Sequence, residues 1–407
     1  MKRRTFVGAM AAGLQTARPA AESFTVRALT RGPAFHWFGY YDEEKFDPTD
    51  RYFLGMEVDF QDRLPGLRDR VTVGMIDLKD NNRWIPLSES RAFSWQQGCM
   101  LQWLPGSPSS IIYDDREEDR FVARILDVKT GRRRTLPSSI YCVSHDGRWA
   151  LTTDFRRLRP ETRFAAAPEA NDDVHIPEDS GIWRVNLETG KTELILRIGD
   201  ISRMPEPLGT WAPEHWHWIA HLLVAPGNGR FAFVHRWGYR GSSKIIGTRF
   251  CTADLDGKNL FIYPHMLEGS HFVWRDAEHV LLWARKPDQK ECRFFLCRDR
   301  TEEAEVFAPD VIRTNSHITY LPQTGKQWVL NDSYVNKQSQ QSLYLVNVES
   351  KRRVELGRFL SPPLFRGPLR CDLHPCASHD GRKIVFNSPH EGGGRQIYLI
   401  DISELAL

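Results

Sequence analysis

Apolar and polar residues alternate in short runs along this chain, and nearly every run ends on a turn. The segments Tyr52–Val58, Val71–Leu78, Ile111–Asp114, Phe121–Val128, Trp149–Thr153 and Ile182–Leu187 are rich in β-branched and aromatic residues. So are Arg230–His235, Val280–Ala284, Trp328–Asp332, Ser342–Val348, Lys383–Asn387 and Gln396–Ile402. Such runs predict strands. Helical periodicity is almost absent. A long chain of strands with regular turn signals predicts a sandwich, a barrel or a propeller.

The turns decide among these. Ser144-His145-Asp146-Gly147-Arg148 and Ser378-His379-Asp380-Gly381-Arg382 are one hairpin written twice, and Asp47–Arg51 and Pro226–Arg230 are variants of it. Asp-Gly and Asn-Gly suit tight two-residue hairpins. A second turn recurs at Asp127–Gly131, Asn186–Gly190, Asp254–Gly257 and Asn347–Ser350. The two kinds alternate, as they would in four-stranded antiparallel blades. Innermost strands begin near Gly39, Met100, Tyr141, His221, His271, His317 and His374. The expected fold is therefore all-β, a seven-bladed β-propeller. The last unit lacks an outer strand, which Ser23–Thr30 is expected to supply, closing the ring. Residues 23–407 then form one domain, with Arg156–Ser180 a surface loop of the third blade.

Composition adds limits. With 55 basic and 52 acidic residues the net charge is +3, which argues against a nucleic-acid binder. No apolar run approaches the ~20 residues of a membrane span. Residues 1–22 carry Arg3, Arg4 and Phe6 before a weakly apolar stretch, the pattern of a twin-arginine export signal. A periplasmic or secreted protein is expected. Of the seven cysteines, Cys371 and Cys376 flank His374 and could form a disulfide.

The candidate chemistry lies in the repeat itself. His221, His271, His317 and His374 recur at intervals of roughly 50 residues, the length of one propeller unit. A position repeated in each blade points to the shared axis, so these imidazoles can converge as metal ligands, with Asp372 beside them. Around them, His36, Tyr40, Gln97, Arg236, Arg285 and Lys337 are candidate substrate-binding residues. Arginines there can hold carboxylates. His217, Tyr239, Arg240 and Tyr334 are candidate proton acceptors. Trp211, Trp216 and Trp218 could stack on sugars or pack in the core.

The run His374-Pro375-Cys376-Ala377-Ser378-His379-Asp380-Gly381-Arg382-Lys383, with Asp372 before it, resembles the last blade of oligogalacturonate lyases. Ser270-His271 is similar to a blade start of that family. The resemblance implies a propeller with a divalent metal at the centre of one face, usually manganese, held by three histidines and a glutamine. It also implies β-elimination on pectic oligosaccharides. His374 and His271 match family ligands. Asp372 stands where the family has histidine, and the family's base has no counterpart that aligns. The expected cofactor is manganese, with zinc or calcium as alternatives, and the expected partner an acidic oligosaccharide or polysaccharide. Two other readings remain open: a non-catalytic TolB-like propeller binding a protein or glycan, and a glycoside hydrolase using acids such as Asp42, Asp115 and Asp372.

Overall fold

The structure is a computed structural model and describes residues 24–158, 174–204, 214–240, 242, 244–405 and 407. Its strands form seven four-stranded antiparallel sheets arranged in sequence order. Blade two is typical: Gln102–Trp103 is innermost, followed by Ser110–Glu117, Arg120–Asp127 and Arg133–Leu136. In blade seven Cys376–Ala377, Lys383–Ser388 and Gln396–Asp401 are joined by Val26–Ala28, which pairs with the last strand of the chain. The two ends thus complete one sheet and leave no half-built blade to expose an edge. Among the described residues the single α-helix is Ile198–Ser202, and no helix is long and apolar enough to cross a membrane. The proposed export signal, Trp211 and most of the blade-three loop lie outside the described residues.

The core is distributed between blades. Trp37, Phe93 and Trp95 pack between blades one and two, and Phe359, Phe386 and Tyr398 between six and seven. Alternate residues of each strand face one neighbouring blade or the other, which is why the strands read as apolar on both faces.

The repeated hairpins hold the ring together. Ser378 Oγ bonds Asp380 and accepts the Lys383 N–H, and Ser144 Oγ does the same with Asp146 and Trp149. Ser144 and Trp149 pair across a four-residue loop, so these turns are one step wider than the two-residue turns expected. Gly147 and Gly381 sit at φ +67° and +69°, and a Cβ on either would strike the carbonyl oxygen of Pro105 or Pro322 in the preceding blade. Each turn also caps the next blade. Asp50 accepts the N–H groups of His379 and Asp380, and Asn228 accepts that of His145.

Three other expectations are corrected. The innermost strand of blade four begins at Trp216, leaving His221 inside it, because the strand extends past the usual start. The strand expected over Ile111–Asp114 runs on to Glu117, because Asp115, Arg116 and Glu117 pair with Val122, Phe121 and Arg120. Cys371 and Cys376 are free thiols; the Cys376 Sγ instead donates to the Tyr41 carbonyl at 3.3 Å.

Candidate metal centre

Blade one breaks its innermost strand. Phe35–Trp37 pairs with Met56 to Val58, Phe46 later bridges to Phe53, and the chain between them leaves the sheet. This excursion carries Tyr40 and Tyr41 to the axis. Tyr40 lies 5.7, 6.0 and 4.8 Å, ring to ring, from His221, His317 and His374. Tyr41 lies 6.3 and 5.1 Å from His271 and His317. Contacts with blades four to seven from one dipeptide require it to sit at the centre of the ring.

The four repeated histidines meet there. Ring centroids of His271 and His317 are 4.5 Å apart, those of His317 and His374 4.3 Å, and those of His221 and His271 5.9 Å. His317, Asp372 and His374, all buried, each offer a ligating atom within 4.8 Å of the others. Local backbone aims two of the four. His221, at φ +54°, sits where the strand register skips between Ala220 and Leu223, a bulge that redirects a side chain. His374, at φ +44°, lies two residues before its strand. Left-handed backbone is uncommon for histidine and is held only by surrounding contacts.

Hydrogen bonds set the tautomers of three rings. His374 Nδ1 lies 2.7 Å from the Gly39 carbonyl, which can only accept. His317 Nδ1 lies 2.9 and 3.0 Å from the Asp332 oxygens. His271 Nδ1 lies 2.9 Å from Asn315 Oδ1, whose identity as oxygen is fixed because it also accepts the Ser316 N–H. In each ring Nδ1 therefore carries the proton and Nε2 the lone pair. His221 differs: its Nδ1 faces the Tyr40 hydroxyl at 3.3 Å, which can donate or accept.

Burial dominates the charge states. It pushes His317 down to about 4 and His374 to about 3, and holds His221 and His271 well below the usual value. Arg236, the next influence on His221, acts in the same direction. All four are neutral near pH 7, as ligands must be. Burial also raises Asp332 to about 7. For Asp372 burial is again the largest influence and would raise it, but Arg370, His317 and His374 together hold it below its ordinary value. Arg370 Nε donates to Asp372 Oδ2 at 2.7 Å. That leaves Asp372 Oδ1 and His374 Nε2 buried with no hydrogen-bond partner. Other buried polar atoms of the structure also lack a partner, but these two belong to residues whose ligating atoms lie within 4.8 Å of one another. A cation between them would satisfy both, so the residues present fit a divalent metal.

The other sequence-selected residues fall in different places. Tyr334 joins the cluster, its ring 5.4 Å from His317 and 6.2 Å from His271, and burial raises its phenol above the ordinary range. Arg236 is buried and contributes charge at His221, His271 and Tyr334. Gln97 is linked indirectly: it donates to the Tyr141 hydroxyl, which accepts the His221 N–H. His36 is tied to Gln396 and Glu57. His217 stacks on His235, 3.0 Å between nitrogens, in the interior of blade four. Tyr239, 57% exposed, packs by its ring against His215, and Arg240 and Lys337 are exposed. Arg285 pairs with Glu268. Trp216 and Trp218 are core residues. Asp115 is bound by Arg124, and Asp42 lines a chamber of about 270 Å³ shared with Tyr41, Glu43, Glu44, His145 and His379. The acids of a glycosidase reading thus occupy three different surroundings. Sequence reasoning missed Asp332, Arg370 and the Gly39 carbonyl; of these only Asp332 had a signal, an acid at the end of a strand where Asp114 also stands.

The molecule is therefore a seven-bladed propeller with an imidazole–carboxylate centre on its axis. No family model and no curated protein matches the sequence. Among solved structures the fold matches oligogalacturonate lyase from Vibrio parahaemolyticus, with TM-score 0.64, 15% identity and 94% of each chain covered. An oligogalacturonate lyase in complex with manganese matches with TM-score 0.65, 14% identity and 95% of each chain covered. A GH74 xyloglucanase from Xanthomonas campestris matches with TM-score 0.50 and 12% identity, covering 94% of this chain and 54% of that one. The chain shares the propeller fold of oligogalacturonate lyases at low sequence identity, and function has to be argued from the site.

Proposed function

We propose that this protein is a metal-dependent lyase that cleaves uronate-containing oligosaccharides by β-elimination. The observation that supports it most is the set of three Nδ1-tethered imidazoles beside the unpartnered Asp372 Oδ1. His271, His317, His374 and Asp372 would hold the ion; manganese suits this mixed nitrogen and oxygen set, and a relative of the same fold is described in complex with it. When bound, the ion would neutralise the uronate carboxylate and so acidify the proton on the neighbouring carbon. Arg236 and Arg370 add positive charge at the same place.

His221 is the proton acceptor in this reading. Expected from the sequence as a ligand, it lies outside the group of His317, Asp372 and His374, with its ring 5.9 Å from that of His271; it is neutral near pH 7 and oriented by Tyr40. The C–H electron pair becomes the new carbon–carbon double bond, the glycosidic C–O bond breaks, and the leaving oxygen takes a proton. Tyr334, kept protonated by burial, is the donor within the cluster. A purely structural propeller would have no need to group the ligating atoms of His317, Asp372 and His374 within 4.8 Å. The export pattern at Arg3 and Arg4 would place this activity outside the cytoplasm.

The test is a screen of pectic, glucuronate-containing and ulvan-like substrates for the ultraviolet absorbance of an unsaturated uronate. Absorbance is expected with manganese-loaded protein and should vanish in His221→Ala and on chelation. Silence on every acidic substrate with demonstrably metal-loaded protein would refute the lyase reading.

A further inference from the structure

Asp332 ends the second strand of blade six and is fully buried. Acids and amides recur at this position around the ring. In blade two Asp114 accepts the N–H of Ile140 at 2.7 Å, just before blade three. In blade seven Asn387 accepts the N–H of Phe38 at 3.1 Å, in blade one. Asp332 likewise accepts the N–H of His374 at 3.3 Å, so part of its role is a clamp between neighbouring blades. The rest has no counterpart at Asp114 or Asn387. Its oxygens also accept from His317 Nδ1, at 3.0 and 2.9 Å, and from the His317 N–H at 2.9 Å. One carboxylate thus holds the main chain of two ligands and the imidazole of one.

We infer that Asp332 is a positioning residue that orients and polarises His317, making His317 the anchoring ligand of the centre; this rests on the metal reading above. The three ligand rings are backed by three kinds of acceptor: an amide behind His271, a main-chain carbonyl behind His374, and a carboxylate behind His317. All three keep the proton on Nδ1. Only the carboxylate can carry negative charge, and in its ionised form it makes His317 Nε2 the most electron-rich donor of the three. Asn387 clamps a single N–H with its amide oxygen, whereas Asp332 uses one oxygen for the His317 N–H and the other for the His374 N–H. Asp332→Asn therefore removes the charge behind His317 together with one of these main-chain bonds, and the His317→Ala background separates the two effects.

The experiment is titration of metal-stripped full-length protein with Mn²⁺. Asp332→Asn should raise Kd about tenfold or more, and the loss of one main-chain acceptor should lower the metal-free Tm as well. In a His317→Ala background the same substitution should change Kd clearly less than it does in the wild type, because the part that acts through that ring is already gone. The reverse variant, Asn315→Asp, puts a carboxylate behind His271 and should tighten Mn²⁺ binding about fivefold. An unchanged Kd in Asp332→Asn, or an additive loss in the double variant, would overturn the assignment. If Asp332→Asn does not fold, Asn315→Asp decides alone, and no tightening overturns it. A wild-type protein that binds no Mn²⁺ would instead refute the metal reading itself, a separate outcome.

Discussion

His374→Asn is the perturbation that bears most directly on the centre. His374 has φ +44°, a backbone region that Asn tolerates better than most residues, so the change removes the Nε2 donor without adding main-chain strain. A ligand bound only by the folded state stabilises it by about 2.7 kcal/mol when free ligand stands at 100 Kd. With an unfolding entropy of about 2.1 cal/mol/K per residue, that corresponds in a ring of this size to a rise in Tm of about 3 °C. Losing a ligand that weakens binding about 100-fold leaves about 0.4 kcal/mol under the same free metal, a shift below about 1 °C. Scanning calorimetry of each protein with and without Mn²⁺ measures this directly. The variant also loses the bond to the Gly39 carbonyl, but that loss affects both of its scans and cancels in the difference. Equal metal-induced shifts in the two proteins, or none in the wild type, would refute the reasoning.

Two further predictions concern the ring. Gly381→Ala should destabilise more than Gly227→Ala: both adopt positive φ, which costs about 1 kcal/mol, but a Cβ at Gly381 meets the Pro322 oxygen at 2.5 Å and one at Gly227 meets nothing within 4 Å. Comparable losses in denaturant midpoint would show that the turn does not press on the preceding blade. His379, raised to about 9 by its bond to Glu44 and then by Asp50, ties the blade-seven turn to blade one. Its folded value lies above the unfolded value of about 6.5. Its contribution should therefore be complete below pH 6.5 and lost as pH rises through 9. At 47% side-chain exposure solvent screens most of it, leaving about 1 kcal/mol or less. His379→Gln should flatten that part of the stability–pH curve, and an unchanged slope would show that the contact carries no free energy.

The strand pattern, the blade count and the closure by Val26–Ala28 were legible because their signals are local. A short run of β-branched and aromatic residues marks a strand, and Ser-His-Asp-Gly-Arg, written twice, marks the same turn in blades three and seven. The four histidines were legible for the same reason: a repeat places equivalent positions at one axis whatever their separation in sequence. What each histidine does was not legible. His221 hangs on a bulge that no spacing announces, and the three tautomers depend on Gly39, Asn315 and Asp332, which approach from different blades or strands. Arg370 beside Asp372 decides which carboxylate oxygen is left unpartnered. Candidates such as His217 and Tyr239 share the residue types of the site but not its location, because their strand and loop carry them into blade four or out to solvent. By itself, then, the sequence determined the repeat, and with it the ring and the convergence of the imidazoles. Only the tertiary structure decided which nitrogen faces inward, which acid is held charged and which atoms remain unsatisfied, since hydrogen bonds and burial act between residues that the chain order keeps far apart.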